Sequence, residues 1–210
     1  SSLDEQVTSS KRTWGADASA QITQNAAGRV KFDSLSSGDG KREVEGNAEV
    51  EVTVGKHLKV TPGIKVSDRL NSGTDSKDEG RRTDIGGEVR YQWDTNKSAY
   101  VFGQATVDRS GTRKRNDRIG VGGEAPVTDK VGVYAEISTG SLGLGGKAGI
   151  DYHPTADDRY YLGYKLDPDR SNAFDESSPL VGNDLGAIVL GANHRYSERL
   201  SVFAEDTYDV

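Results

Sequence analysis

Apolar and polar residues alternate along most of this chain. In the clearest stretch, residues 118–166, the apolar positions include Val121, Val133, Ile150 and Leu162, and polar residues or glycines stand between them. Side chains with a period of two point to opposite faces of a β-strand. The pattern therefore predicts antiparallel hairpins with one apolar face and one polar or glycine-rich face.

The same alternation recurs along the chain from Trp14 to Ala204. It predicts about 12 strands of about 8 to 12 residues, joined by neighbour-to-neighbour reversals. We expect residues 11–210 to form one all-β domain, an up-and-down antiparallel meander, and residues 1–10 to be a lead-in segment.

The reversals alternate in length as well. Those near Lys56, Thr95 and Asp129 are short, whereas residues 68–83 and 167–184 form long, charged connections. In a meander every second connection lies at the same end of the sheet, so one end carries turns and the other carries loops. That asymmetry is typical of outer-membrane barrels, and it favours a closed transmembrane β-barrel or part of a larger one.

Composition narrows the choice of partners and compartments. The net charge is -6 with both signs well mixed, so no nucleic-acid surface is expected. No run approaches the roughly 20 apolar residues of a transmembrane helix, whereas barrel strands alternate and average to a polar hydropathy. The absence of cysteine excludes a disulfide framework and a thiolate metal site.

Carboxylates and basic residues occupy the polar face of the predicted strands. Inside a barrel they would line a wet lumen, where they would set ion preference or fill the lumen by pairing. The predicted lumen-lining residues are Glu45, Glu49, Glu51, Lys59, Lys65, Glu88, Arg90, Glu124, Glu136 and Lys147.

Aromatic residues lie beside the short turns, where the girdle at a membrane–water interface would be. The predicted girdle residues are Tyr91, Trp93, Tyr152 and Tyr160.

A basic cluster occupies the predicted loop at residues 108–117 and the position after it. At an outer rim it would bind lipopolysaccharide phosphates or another anion, although charge runs in long loops are usually only solvated. The candidate anion-binding residues are Arg109, Arg113, Lys114, Arg115 and Arg118.

Candidate catalytic and metal-binding residues are few. His57, His153 and His194 are spread along the short-turn end, where their separation argues against a shared metal ion. No nucleophile and base can be paired from spacing. We therefore expect no enzyme activity, no metal and no cofactor, and an outer-membrane enzyme is the weakest alternative.

Several segments resemble the barrel hairpins of bacterial outer-membrane proteins, and they are most similar to the repeated hairpins in the C-terminal barrel of very large proteobacterial surface proteins. The segments that carry this resemblance are Gly86–Trp93, Val133–Glu136, Tyr161–Arg170 and Leu200–Glu205.

The resemblance implies a bacterial outer-membrane protein in contact with lipid. Such a protein would act as a porin-like pore for ion transport, or as a membrane anchor for the rest of a longer chain or for other envelope proteins. The residues leave one alternative of a different class open, a soluble or surface-exposed β-sheet binding module whose apolar face packs against another sheet.

Overall fold

The computed structural model describes residues 11–37, 40, 42–70, 79–166, 186–197 and 200–209. Twelve strands account for most of them, as the alternation predicts. The strands are β1 (Lys11–Thr23), β2 (Ala26–Ser37), β3 (Arg42–Val54), β4 (Leu58–Leu70), β5 (Gly80–Asp94), β6 (Lys97–Arg109), β7 (Arg118–Thr128), β8 (Val131–Gly140), β9 (Gly143–Tyr152), β10 (Asp158–Leu166), β11 (Ala187–Ser197) and β12 (Leu200–Asp209).

All 12 strands form one antiparallel sheet in which each strand pairs with its neighbours in the chain. The predicted all-β meander is therefore confirmed. Strands β1 and β12 are the two edges of the sheet, and no hydrogen-bonded register joins them in the described part of the chain. Within the described ranges, no helix has the length and apolar character needed to cross a membrane.

The strands on either side of the first long loop are longer than the sequence pattern predicts. Strand β4 continues to Leu70 and β5 begins at Gly80, so only the centre of the predicted loop at residues 68–83 remains. Charged and polar residues occupy both faces there, with Asp68 next to Arg69 and Arg81 next to Arg82, and this hides the period of two. The predicted lead-in and the predicted loop at residues 167–184 lie outside the described residues.

Burial in this single-layered sheet is the reverse of that in a soluble protein. On the apolar face Val121 is 51% exposed and Ile137 is 63% exposed, whereas on the polar face Lys65 is 6% exposed and Asp84 only 1%. Because no second layer covers either face within the described residues, burial of the polar face requires the sheet to curve around it. We call the polar side the concave face and the apolar side the convex face.

Candidate functional site

All ten predicted lumen-lining residues lie on the concave face, because the register of neighbouring strands keeps their side chains on one side. Several of them form ion pairs between adjacent strands. Lys65 Nζ lies 2.8 Å from Glu45 Oε1, and Lys59 Nζ lies 3.0 Å from Glu51 Oε1. Carboxylates and amines that face each other across a strand pair stabilise the sheet and leave few charges unneutralised.

Other concave side chains reach across two strands rather than one. The Arg90 guanidinium on β5 pairs with Glu88 at 2.9 Å and also donates to Glu124 on β7 at 3.3 Å. The Tyr100 hydroxyl on β6 donates to Glu136 on β8 at 2.6 Å. The Arg90–Glu124 and Tyr100–Glu136 bonds each join strands that lie two strand spacings apart, roughly 9.6 Å, so they hold the concave curvature as well as the pairing.

Aromatic rings on the concave face lie over glycines of the following strand. Tyr100 is directly opposite Gly122, and Phe102 is directly opposite Gly120. A Cβ atom added to either glycine would overlap the facing ring. The glycines therefore provide the space that lets these rings lie flat against the sheet, and the Arg90 guanidinium covers the Tyr100 ring at 4.3 Å.

The connection between β6 and β7, residues 110–117, folds inward onto the concave face. The Arg113 side chain is fully buried and its Nη2 atom donates to the Ser67 hydroxyl on β4 at 2.8 Å. Asn116 is fully buried too, and its backbone carbonyl oxygen accepts a hydrogen bond of 2.9 Å from the Gln104 side-chain amide. These contacts close the loop end of the concave face to water along β4 to β6.

Both sides of this loop are tied to neighbouring connections. The Thr112 amide donates to the Glu79 carbonyl at 2.8 Å, next to the start of β5. On the other side, the Asp117 amide donates to the Ser141 hydroxyl, and the Ser141 amide donates to the Asp117 carbonyl. The loop is thus fixed between the β4–β5 and β8–β9 connections.

A carboxylate in the loop is held by charge and by a backbone donor. Arg115 pairs with Asp117 at 2.7 Å, and the Thr106 amide donates to the same carboxylate at 2.9 Å. The hydrogen bond from Arg115 and then the one from Thr106 lower the pKa of Asp117, although partial burial opposes them. This carboxylate therefore stays charged to a lower pH than an ordinary aspartate.

A buried ion pair beside the loop was not among the predicted site residues. Arg82 Nε donates to Asp84 Oδ2 at 2.7 Å, both side chains are almost fully buried, and the Thr106 hydroxyl donates to the second carboxylate oxygen at 2.7 Å. The period-two spacing of Arg82 and Asp84 was the available signal, but it lay at the edge of a stretch interpreted as a loop.

The basic cluster proposed to bind anions is divided by the fold. Arg113 and Arg118 are buried, and Arg118 donates to the Ser138 hydroxyl at 2.7 Å. Arg109, Lys114 and Arg115 are exposed at the loop end. Anion binding stays a prediction, and the accessible residues for it are these three.

A cavity of about 560 Å³ opens at the other end of the concave face, beside the short turns. Its deeper wall includes Tyr100, Glu124 and Lys147, and its mouth includes Lys97 and Lys130. The concave face thus differs at its two ends, since it is filled at the loop end and open at the short-turn end.

The four predicted girdle residues lie on the convex face at the short-turn end. Tyr91 and Trp93 contact each other with ring centroids 5.0 Å apart, and Tyr152 is directly opposite Tyr160 on the next strand. Tyr196, which the sequence did not single out, extends this row and packs edge-on against His194 at 4.3 Å.

The three histidines lie at the short-turn end, as their sequence positions suggest, but they have separate partners. His57 Nδ1 contacts the Gln92 backbone carbonyl at 2.8 Å, whereas His194 Nδ1 contacts the Asp158 carboxylate at 2.6 Å. In the described ranges no three histidine, aspartate or glutamate side chains converge to hold a metal ion. Comparison with protein-family models, curated proteins and solved structures gives no match for this chain.

Proposed function

We propose that this protein is a β-barrel of the bacterial outer membrane that acts as a membrane anchor, with an interior filled by its own side chains. The observation that carries the proposal is the reversal of burial, with apolar side chains exposed on the convex face and charged side chains enclosed on the concave face. Lipid favours this arrangement because hydrocarbon is the solvent outside such a barrel.

The dimensions of the convex face fit this proposal. On β7 the convex residues run from Ile119 to Val127, a distance of about 27 Å along the strand at 3.4 Å per residue. Across the described parts of β2 to β10, the central convex positions hold no charged side chain. An aromatic row borders this band at the short-turn end, where amphipathic rings favour a membrane interface.

The concave face supports an anchor more than an open pore. Arg113, Asn116, Arg82 and Asp84 fill its loop end and are at most 1% exposed. A continuous aqueous path would have to pass this layer. A conducting pore is the second candidate, and the water-accessible cavity at the short-turn end favours it.

Extraction and gel mobility test the membrane assignment. The protein should require detergent for extraction from outer-membrane fractions, and its unheated form should migrate differently from its boiled form in SDS gels, because a closed sheet resists SDS until it is heated. A protein that stays monomeric and folded in buffer without detergent, with no mobility change on heating, would instead match the soluble sheet module.

Planar bilayer recordings separate the anchor from the pore. Reconstituted wild-type protein should stay silent, and a variant with Arg113→Ala and Asn116→Ala should show conductance steps because the filling layer is thinned. Steps from the wild type, altered by Glu49→Lys or Lys65→Glu, would support the pore and contradict the filled interior.

A further inference from the structure

Five aromatic side chains lie on the concave face within the described residues, and four of them share one arrangement. In each of the four pairs the ring faces a glycine directly opposite on the next strand of the chain, and a Cβ atom at that glycine would overlap the ring. The pairs are Tyr100 with Gly122, Phe102 with Gly120, Tyr134 with Gly149, and Tyr161 with Gly191.

The fifth concave ring, Phe203, lies on the last strand and so has no following strand in the sheet. It is on the concave face because Glu205, two residues away, accepts a hydrogen bond there from the Tyr161 hydroxyl. Phe203 is 74% exposed, the highest value among the large apolar side chains. This ring is the one member of the set without a glycine opposite it.

The opposite edge of the sheet offers a match. Strand β1 has a single glycine, Gly15, and this residue faces the concave side because it is paired with Asp33, which in turn is paired with Glu45. In a meander of 12 strands the first and last run in opposite directions. The two edges can therefore pair as antiparallel neighbours.

We propose that β12 pairs with β1 of the same chain in the register that sets Phe203 directly opposite Gly15, with the ring lying over the glycine. The proposal rests on the proposed function, because a sheet that spans a membrane has to pair its edges. The Asp33 carboxylate reaches over Gly15 in the open sheet. It has to turn towards Lys31, with which it already pairs at 3.3 Å.

The side chains beside this contact are compatible in size and face. Val202 falls opposite Ala16, and Ala204 falls opposite Trp14, so small and large residues meet on the convex face. A shift by one residue would set apolar against polar positions and is excluded by the pleat. The remaining registers of β12 against β1 are shifted from one another by two residues, and the contact of Phe203 with Gly15 selects one of them.

The register of the whole sheet determines the barrel geometry that this closure would give. A line of directly paired residues starts at Thr53, at the short-turn end of β3, and crosses every later strand to Asp209, near the loop end of β12. Its members, one from each strand, are Thr53, Lys59, Arg90, Tyr100, Gly122, Glu136, Lys147, Lys165, Ala187 and Asp209. From strand to strand the line thus shifts steadily from the short-turn end of the sheet to its loop end.

Extended the other way through the β2–β3 and β1–β2 registers, the line reaches β1 at about Thr23. In the proposed register the partner of Asp209 comes about 14 residues earlier in the chain, and this offset is the shear of the barrel. With about 3.3 Å per residue and about 4.8 Å between 12 strands, that shear gives a strand tilt of roughly 39°. Closed barrels of the outer-membrane type have tilts of about 35–45°. The register selected by one ring and one glycine therefore gives a closed barrel of ordinary geometry.

Disulfide trapping in the full chain tests the register, and the absence of native cysteine leaves no background. In the proposed register Asp17 lies directly opposite Ser201, so the variant Asp17→Cys/Ser201→Cys should oxidise within one chain. The matched control is Ser19→Cys/Ser201→Cys, shifted by two residues. Direct partners lie within disulfide reach and shifted ones do not, so we expect at least about tenfold more cross-linked monomer from the first pair.

Each other outcome would overturn the proposal. More cross-linking in the control pair, or none in either pair while the protein still inserts into lipid vesicles, would refute this register and leave the membrane assignment standing. Disulfide-linked dimers from the first pair would show that a second copy takes the edge. Failure of both variants and of the wild type to enter vesicles would refute the proposed function itself.

Discussion

The two faces of this sheet differ in chemistry and in exposure, and the apolar face is the more exposed of the two. The convex face is apolar and exposed, with Val101 and Val121 at its centre. The concave face is charged and enclosed, with Lys65 and Asp84 among its most buried side chains. In a soluble sheet the apolar face is the covered one, so this difference in exposure is the basis of the proposed membrane assignment.

The contrast also shows what the average hydropathy conceals. The mean hydropathy is -0.69. It averages an apolar face and a charged face, since alternate residues point to opposite sides. Only the period of two separates them.

The largest expected effect comes from breaking the concave face at its buried ion pair. Asp84→Asn leaves Arg82 charged and enclosed without its carboxylate, and loss of one partner of a buried pair costs about 3–5 kcal/mol. Denaturant titration in lipid vesicles, followed by the fluorescence of Trp14 and Trp93, measures the change in the free energy of unfolding.

The matched control for that variant is Asp157→Asn, which breaks the exposed pair between Asp157 and Arg195 at the short-turn end. Solvent-exposed pairs contribute about 0–1 kcal/mol. Equal losses of unfolding free energy in the two variants would mean that the buried pair on the concave face is as accessible to water as the pair at the short-turn end.

A charge on the convex face should have the next largest effect. Val121→Arg sets a guanidinium in the middle of the apolar band, and at the centre of a bilayer this costs about 2–4 kcal/mol. The free energy of unfolding in vesicles should fall by that amount, whereas Thr95→Arg in the β5–β6 turn should leave it nearly unchanged. If the convex face meets water, both variants behave like wild type.

Crowding the glycines beneath the concave rings should have a smaller effect. Gly122→Ala pushes a methyl group into the Tyr100 ring, and overpacking of this kind costs about 1–3 kcal/mol. Gly132→Ala adds the same atom to the concave face of β8 where no atom lies within 4 Å. A thermal unfolding series in detergent should show a loss for the first variant alone, and a tolerated Gly122→Ala would contradict the ring packing.

Acidification should loosen the inward-folded loop without unfolding the sheet. Because the pKa of Asp117 is lowered from its usual 3.8, the carboxylate stabilises the loop above that value and loses this effect as the pH falls through the lowered pKa. The protection factor of the Thr106 amide, which is its intrinsic exchange rate at each pH divided by the observed rate, should fall as the pH drops through the lowered pKa of Asp117 in wild type. In Asp117→Asn the protection factor should show no such fall.

The sequence predicted the sheet well because its information is local. The alternation around Val121 and Ile150 fixes the strands and their faces, so the side chains of all ten lumen-lining candidates point to one side of the sheet. The inward fold of residues 110–117 has no such signal. It depends on Ser67, Glu79 and Ser141, which are distant in the chain and belong to other connections.

The ring and glycine pairs were missed for a related reason. Tyr100 and Gly122 are both visible in the sequence, but their contact requires the exact register of β6 and β7. A shift of two residues keeps every face correct and separates the ring from its glycine. Register, and with it closure of the sheet, is therefore the part of the fold that alternation alone does not determine.

The most direct test of whether the two faces meet different solvents is a nitroxide scan of β8 in lipid vesicles. Each variant carries one spin-labelled cysteine, in a chain that has no cysteine of its own. The convex sites are Val131, Val133, Ala135 and Ile137, and the concave sites are Gly132, Tyr134, Glu136 and Ser138. We predict that convex labels collide with dissolved oxygen and are shielded from a water-soluble nickel chelate, with a period of two along the strand. Convex labels that meet the chelate as readily as oxygen would contradict the contact with hydrocarbon.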